Sequence, residues 1–266
     1  MTKCVALIGI LLSFISIYAQ HGARSLSLGG IDPVLEGPVS LFNNPAGIHD
    51  LTTLHFLSGY RLNYIPVLSS VYCGIIYPLH AVALGLSLSK EGDEVYNKTE
   101  LAFSVAHSIG NTRLGIRINY RQYGLQGIGR KGMLVMDIGG ITKLAKNLFL
   151  GATLFNPFLS KISNEEITPA FLRLGIRYQP QSYLAIISAI EKKISLPARI
   201  SLGIEYDVME KIIVRFGVKQ QPITLHGGFG IRWNRVALDY GVEKHPQLGF
   251  RQDISIYYSL NSDEGP

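Results

Sequence analysis

An alternation of apolar and polar residues with a period of two runs from Leu54 almost to the end of the chain. The stretch RLGIRINYR at 113–121 places its apolar side chains on one face and its polar or small side chains on the other. The stretches AVALGLSLS at 81–89 and RISLGIEYD at 199–207 do the same. Helical spacing would mix the two classes, whereas a β-strand separates them. The alternation therefore predicts an all-β fold.

The pattern predicts fourteen antiparallel strands, joined alternately by tight turns and by generally longer loops. Short turns at one end and longer loops at the other are typical of transmembrane barrels. The predicted strands lie near 54–63, 67–78, 81–90, 98–109, 112–122, 133–143, 147–155, 169–179, 182–192, 198–207, 211–219, 223–232, 235–243 and 250–260.

The composition bears on whether the apolar residues are buried in a soluble core or exposed to lipid. Only 17% of the residues are charged, against about 25% in typical soluble domains. Beyond residue 20, the chain has no apolar run near the roughly 20 residues that a spanning helix needs. The alternatives are a soluble β-sandwich or small barrel and a transmembrane barrel with an apolar outer surface.

Three features favour the transmembrane barrel over the sandwich. The polar face is rich in Gly and Ser, as a crowded lumen requires, and the apolar face almost never carries a charge. Aromatic residues recur at the strand ends, as interfacial girdles do. Tyr77 and Trp233 are expected at the edge with the tight turns, and Tyr64 and Tyr120 at the opposite edge.

The N-terminus predicts export. Lys3 precedes a 13-residue apolar run, Val5 to Ile17, and small residues follow it. This arrangement is typical of a secretory signal peptide, which we place at 1–19 with cleavage after Ala19. The only other cysteine besides Cys4 is Cys73, so the mature chain has neither a disulfide framework nor a CxxC metal site. Since closed barrels satisfy every backbone hydrogen bond in lipid, we expect the protein in the bacterial outer membrane, in contact with its lipid.

Residues 20–53 form a separate unit before the predicted barrel at 54–260 and a short C-terminal tail at 261–266. Glycines and prolines interrupt the unit, and it shows no sustained period, so it cannot build a core alone. It either hangs free in the periplasm or folds into the lumen as a plug. Within it, Asn44 precedes Pro45, which presets φ, and the Asn side chain can cap the turn.

Many predicted strands share an apolar–Gly–apolar core, as in LGIRI at 114, LGIRY at 174 and LGIEY at 202. The glycine faces inward in each. A residue without Cβ is favoured there by bending of a closed sheet or by packed contents.

The inward positions also carry most of the charges. A basic lumen would favour anionic cargo, whereas pairing between these arginines, lumen acids and a plug would hold the interior together. The main candidates are Arg117, Arg173, Arg177, Arg199, Arg215, Arg232, Glu205 and Asp239.

The N-terminal motif ARSLSLGG followed by LFNNPAGI resembles the entrance of FadL-type outer-membrane barrels and of their PorV/PorQ relatives from type IX secretion. The resemblance implies a fourteen-stranded barrel with an N-terminal hatch in its lumen. It assigns Asn44, Pro45, Ala46 and Gly47 to the hatch motif. The chain is shorter than typical members, and its outer loops lack the long insertions that capture fatty acids.

Two functions follow from the resemblance. The first is passage of hydrophobic small molecules through a plugged barrel. The second is a non-enzymatic accessory role in type IX secretion, in which the protein binds or hands over exported proteins. We expect no enzyme, no cofactor and no metal, because the histidines form no HExxH pattern and Ser104 and His107 fall on opposite faces of a strand. The basic residues are spread along the strands, so we expect no nucleic-acid partner.

Overall fold

The alternating segments form one closed antiparallel sheet. The computed structural model describes residues 21–160, 169–194 and 196–260. The predicted signal peptide at 1–19 and the tail at 261–266 lie outside the described residues. The strands are β1 His55–Leu62, β2 Ser70–Pro78, β3 Val82–Gly92, β4 Tyr96–Ile109, β5 Thr112–Leu125, β6 Gly129–Ala145, β7 Leu148–Phe155, β8 Phe171–Gln181, β9 Leu184–Lys193, β10 Arg199–Met209, β11 Ile212–Lys219, β12 Thr224–Trp233, β13 Val236–His245 and β14 Gly249–Ser259.

Each strand pairs with the next along the chain, and β1 pairs with β14 to close the barrel. His55 lies opposite Ser259 and Leu62 opposite Gln252 at this closing pair. The three register irregularities among the described pairs all lie near tight turns. The wall between the two ends is therefore continuously hydrogen-bonded, without a gap between strands along its paired length.

The prediction of a fourteen-stranded barrel is confirmed, and the strand bounds differ in a few places. Strand β2 begins at Ser70 and not at 67, because Pro66–Leu68 form a 3-10 turn. Strands β4, β5 and β6 run into stretches predicted as loops, up to Gly92 paired with Asn97 and Leu125 paired with Gly129. Cross-strand pairing continues there although the sequence alternation has faded.

The two ends of the barrel differ. The end with the tight connections, such as 110–111 and 234–235, is called the turn end, and the opposite end is called the loop end. Arg235 is exposed in one of the tight turns of the turn end. Tyr64 does not join an outward girdle, because its ring lies 5.4 Å from the Arg251 guanidinium and its hydroxyl is buried.

The outward face of the barrel is apolar around its circumference. Leu86, Ile116 and Ile204 are each close to half exposed and have no layer of the same chain outside them. An apolar surface of this extent requires a lipid environment. It is the outer surface of a transmembrane barrel. No helix among the described residues is long and apolar enough to cross a membrane.

The inward face packs on residues 21–53, called here the N-terminal segment. It contains a short helix, α1 (Ala23–Ser27), and two 3-10 helices, Pro38–Phe42 and Pro45–Ile48. Most of its side chains are buried. Its apolar residues form two clusters with the wall, one around Leu41 and Ile48 and one around Ile31 and Leu35. The segment shares a core with the wall, which explains how a non-periodic stretch becomes ordered.

Candidate functional site: the lumen and its N-terminal segment

Inward-facing glycines form a ring at one level of the wall, called here the glycine belt. Four pairs of them lie opposite each other on neighbouring strands: Gly115 with Gly139, Gly151 with Gly175, Gly203 with Gly217, and Gly228 with Gly241. The belt also includes Gly85 of β3.

The belt gives the backbone of the N-terminal segment room to lie on the wall. A Cβ atom added at Gly115 would lie 2.4 Å from the backbone nitrogen of Ala46. One added at Gly217 would lie 2.3 Å from the backbone nitrogen of Gly29, and one at Gly241 would lie 2.4 Å from the Ala23 carbonyl oxygen. Real Cβ atoms do not approach this closely, so the segment fits only because side chains are missing. The repeated sequence motif thus supplies space for packed contents.

The N-terminal segment follows the belt around the lumen. The backbone N–H of Ala23 donates to the Ser255 hydroxyl on β14 (2.9 Å). The hydroxyl of Ser201 on β10 donates to the Gly29 carbonyl (2.9 Å), and Pro33 lies against Gly151 of β7. The segment therefore contacts opposite sides of the barrel and lies inside it.

The predicted motif residues sit where the segment turns back. The side-chain oxygen of Asn44 accepts from the N–H of Ala46 (3.1 Å), which caps the 3-10 helix that begins at Pro45. The Asn44 amide donates to the Pro33 carbonyl (2.5 Å) and to the Gly140 carbonyl on β6 (3.3 Å). Asn44 thus connects two parts of the segment to the wall.

Pro45, Ala46 and Gly47 are buried with Asn44. A Cβ at Gly47 would lie 2.5 Å from the Leu35 carbonyl oxygen, so this position has no room for a side chain. The N–H of Gly37 also donates to the Gly47 carbonyl (3.0 Å). The turn is therefore fixed from both sides.

Ion pairs join the N-terminal segment to the wall at several points. Arg24 binds Glu205 of β10 through two hydrogen bonds of 2.9 and 2.7 Å. Asp32 accepts from Arg173 of β8 (2.6 Å).

Nearer the turn end, the segment makes further pairs with arginines. Glu36 accepts from Arg177 (2.5 Å) and also pairs with Arg113. Arg113 reaches Asp50 as well, at 2.5 Å. Buried ion pairs contribute little net stability, but removing one partner leaves an uncompensated charge that is costly. They therefore fix the position of the segment.

The wall charges also pair with one another. Arg117 binds Asp137 (2.8 Å) and donates to the Leu41 carbonyl of the segment (3.1 Å). Arg215 lies between Glu205 (2.6 Å) and Asp239 (2.7 Å).

Six of the eight predicted lumen charges thus lie in ion pairs. The remaining two, Arg199 and Arg232, are half-buried and form no ion pair within the part of the chain that the structure describes. Sequence reasoning missed the acidic partners Asp32 and Glu36, since nothing in a non-periodic segment shows which side chains face the wall.

His21 is a buried residue that no sequence pattern singles out. Its ring lies 5.3 Å from Phe42 and 4.7 Å from Tyr72 between ring centroids. Burial, together with the positive charges of Arg61, Lys98 and Arg117, lowers the pKa of His21 well below its ordinary value. The ring is therefore neutral in neutral buffer, which suits its aromatic surroundings.

A cavity of about 610 Å³ opens at the turn end, where the segment leaves the lumen. His49, Asp50, Leu51 and Thr52 line one side, and the residues 78–80 of the β2–β3 turn line the other. Across the described ranges, no three His, Cys, Asp or Glu side chains are grouped so that they could hold a metal ion.

No protein-family model and no curated protein matches the chain. Solved structures do. The Ralstonia pickettii toluene transporter TbuX superposes with a TM-score of 0.71 at 13% identity, over 92% of this chain and 100% of TbuX. The monoaromatic hydrocarbon channel CymD gives 0.75 at 14% identity, over 92% and 99%. A Pseudomonas aeruginosa FadL homologue gives 0.64 at 12% identity, over 91% and 99%. At these identities, the likeness establishes the shared fold.

Proposed function

We propose that this protein is a bacterial outer-membrane transporter that passes hydrophobic small molecules through a barrel plugged by residues 20–53. The observation that carries the proposal is the N-terminal segment inside a closed fourteen-stranded barrel of the same fold as the hydrocarbon channels. Nearly the full length of those channels is covered by this chain. Transport of this kind needs no covalent chemistry, and we assign no catalytic residue.

For this function the protein must lie in the outer membrane with a defined orientation. A signal peptide at 1–19, cleaved after Ala19, directs export, and the apolar outer face contacts outer-membrane lipid. The turn end faces the periplasm and the loop end faces outward, as in other barrels of this class. The tail at 261–266 follows the last strand.

In this proposal residues 20–53 act as the hatch, and Asn44, Pro45, Ala46 and Gly47 form its fixed turn. The buried ion pairs position the hatch and match its charges to those of the wall. We assign Arg117, Arg173, Arg177 and Arg215 to this structural role, with Glu205 and Asp239 as their partners. Arg199 and Arg232 form no such pairs in the described residues, so we do not extend this structural role to them.

The continuous hydrogen bonding of the wall limits how a solute crosses. With no gap along the paired strands, the path runs lengthwise through the lumen, and the hatch must move for the path to open. Apart from the chain connection into β1, hydrogen bonds and ion pairs hold the hatch, and these can break and re-form, so its displacement is reversible.

The competing hypothesis is an accessory role in type IX secretion, of the PorV/PorQ kind. The N-terminal motif resembles both groups of barrels, whereas the structurally similar proteins named above are hydrocarbon transporters and channels and a FadL homologue. Transport is therefore the better-supported proposal.

The test uses a mutant of the native host that lacks the gene. We expect slower uptake of a labelled hydrophobic compound and unchanged surface display of secreted proteins, with complementation restoring uptake. Normal uptake with defective surface display would replace the transport proposal with the secretion role.

Occupation of the lumen is tested separately in planar bilayers. Removal of residues 21–50 should raise the single-channel conductance by about tenfold or more, because water fills the vacated space. Equal conductance of the full chain and the deleted chain would contradict the assignment of these residues as a plug.

A further inference from the structure

Two arginines of β8 face the lumen four residues apart. Arg173 and Arg177 lie on the same side of the strand, and at about 3.3 Å per residue their Cα atoms are roughly 13 Å apart along the barrel. The N-terminal segment supplies a carboxylate to each, Asp32 to Arg173 (2.6 Å) and Glu36 to Arg177 (2.5 Å). The two acids are also four residues apart. The segment and β8 are thus joined by two ion pairs at successive depths.

Aromatic rings lie beside each guanidinium group. The Arg173 guanidinium lies 5.1 Å from the Phe155 ring centroid and 4.9 Å from that of Phe171, and these two rings stack at 4.2 Å. The Arg177 guanidinium lies 4.2 Å from the Phe149 centroid. Each unit therefore combines an arginine, an acid from the segment and aromatic rings of β7 or β8.

The wall between the two units carries little bulk and little charge. Gly151 of β7 and Gly175 of β8 lie opposite each other there, and both face Pro33 of the segment. Below them, Val34 and Leu35 pack with Phe149 and Ile187. Besides the two ion pairs that cross it, the column along β7 and β8 carries the buried hydroxyl of Thr153, and Lys193 and Lys143 lie beside the rings of Phe171 and Phe149.

The opposite wall has a different character. On β1 and β14, Arg61 pairs with Asp253 (2.8 Å), and the hydroxyl of Tyr72 donates to the same carboxylate (2.6 Å). These groups are buried and lie within the wall itself. The same side also contains the apolar cluster around Leu41 and Ile48, which includes Leu57 and Ile76 of the wall. Among the described residues, no ion pair joins the segment to β1, β2 or β14, so that side has no charged contact that could close and open a path.

We propose that the hydrophobic solute moves along the inner face of β7 and β8, and that the Asp32–Arg173 and Glu36–Arg177 pairs close this lane. This inference rests on the proposed transport function and adds its route and its barriers. Stacked Phe155 and Phe171 receive the solute at the loop end, and Phe149 lies at the turn end. Exposed Phe158 and Leu159 follow β7 at the loop end and extend the apolar surface outward.

The two pairs are not equally hard to open. When Asp32 moves away, Arg173 keeps a second carboxylate, because Glu191 of β9 accepts from it at 2.7 Å. Arg177 has no second acid within hydrogen-bond distance in the described residues and keeps only the ring of Phe149. A buried charge without a partner is costly. The Glu36–Arg177 pair, nearer the turn end, is called the inner pair and is therefore the main barrier. The Asp32–Arg173 pair, nearer the loop end, is the outer pair and opens first.

The test measures entry of N-phenyl-1-naphthylamine, a neutral aromatic fluorophore, into intact cells of a Gram-negative host that expresses the protein at matched levels. The double variant Asp32→Asn with Glu36→Gln keeps side-chain shape and removes both carboxylates. We expect its entry rate to rise about fivefold or more. Heat-modifiable migration on gels confirms that each barrel is folded.

The matched control is Ser255→Ala, which removes the hydrogen bond that the Ala23 N–H of the segment donates to β14 (2.9 Å), on the wall opposite the lane. We expect a clearly smaller rise than for the double variant. An equal rise in entry rate would mean that losing any contact between the segment and the wall admits the solute. That result would overturn the proposed route along β7 and β8. An unchanged rate in the double variant, with measurable entry through the wild type, would overturn it too. A wild type with no entry above cells lacking the protein would instead overturn the proposed function.

The inner barrier is tested by the single variants. Glu36→Gln should account for most of the increase and Asp32→Asn for little of it, since Arg173 retains Glu191. The reverse order would contradict the assignment of the inner pair as the main barrier.

Discussion

The outward and inward faces of the same strands are built on different rules. On β5, Leu114, Ile116 and Ile118 face outward and each needs only to be apolar, because lipid adapts to their shape. Gly115 and Arg117, between them, each contact a particular atom of the N-terminal segment. The outward face is therefore specified by residue class, and the inward face is specified residue by residue.

The largest effect is expected from a charge on the outward face at mid-depth. Ile116→Arg should destabilise the folded barrel by about 2–4 kcal/mol, whereas Ile109→Arg, at the turn end of β4, should cost about 0–1 kcal/mol. Equilibrium unfolding from lipid vesicles measures both. Equal costs at the two depths would contradict the placement of Ile116 inside the hydrocarbon layer.

Two adjacent glycines of β6 test the contrast between the faces directly. A Cβ at Gly139 would lie 1.9 Å from the Asn44 side-chain oxygen, while one at Gly140, on the outward face, would be 3.5 Å from its nearest neighbour in Leu114. Gly139→Ala should therefore displace the Asn44 turn at a cost of about 1–3 kcal/mol and raise channel conductance.

Gly140→Ala should leave conductance unchanged and serves as the control. If the two variants behaved alike in planar bilayers, the close approach of the segment to the belt would be wrong.

A smaller effect is expected from Asn44 itself. Asn44→Ala removes the cap on Ala46 and the bonds to the Pro33 and Gly140 carbonyls, which should weaken the turn by about 1–2 kcal/mol. Faster hydrogen exchange at Ala46 and Gly47 would report it.

Asn44→Asp keeps the cap acceptor and loses the donors, so it separates the two contributions. Protection at Ala46 that falls equally in both variants would show that the donor side, not the cap, holds the turn.

The strands could be predicted well because the alternation of apolar and polar residues is a local pattern. Lipid requires apolar side chains on the outward face, and the crowded lumen requires small or polar side chains on the inward face. The prediction failed at the loop-end parts of β4, β5 and β6, where pairing with neighbours continues through Gly124 and Gly129 although glycine has a low strand propensity.

The site was predictable only in part. The inward glycines and arginines followed from the strand period. Their partners Asp32, Glu36 and Arg24 did not, because a segment without periodicity takes its path from the wall that surrounds it. The buried position of His21 could not be predicted either, since its contacts with the rings of Phe42 and Tyr72 are visible only in the folded structure.

The closing pair of strands has a consequence for biogenesis. Strand β1 directly follows the N-terminal segment, yet its second neighbour is β14, the last strand to be synthesised. The seam thus joins residues about 200 positions apart, so the barrel closes only when the whole stretch from β1 to β14 is available. The N-terminal segment is made before any strand, and because it contacts opposite sides of the wall, it can serve as an internal template on which the fourteen strands assemble.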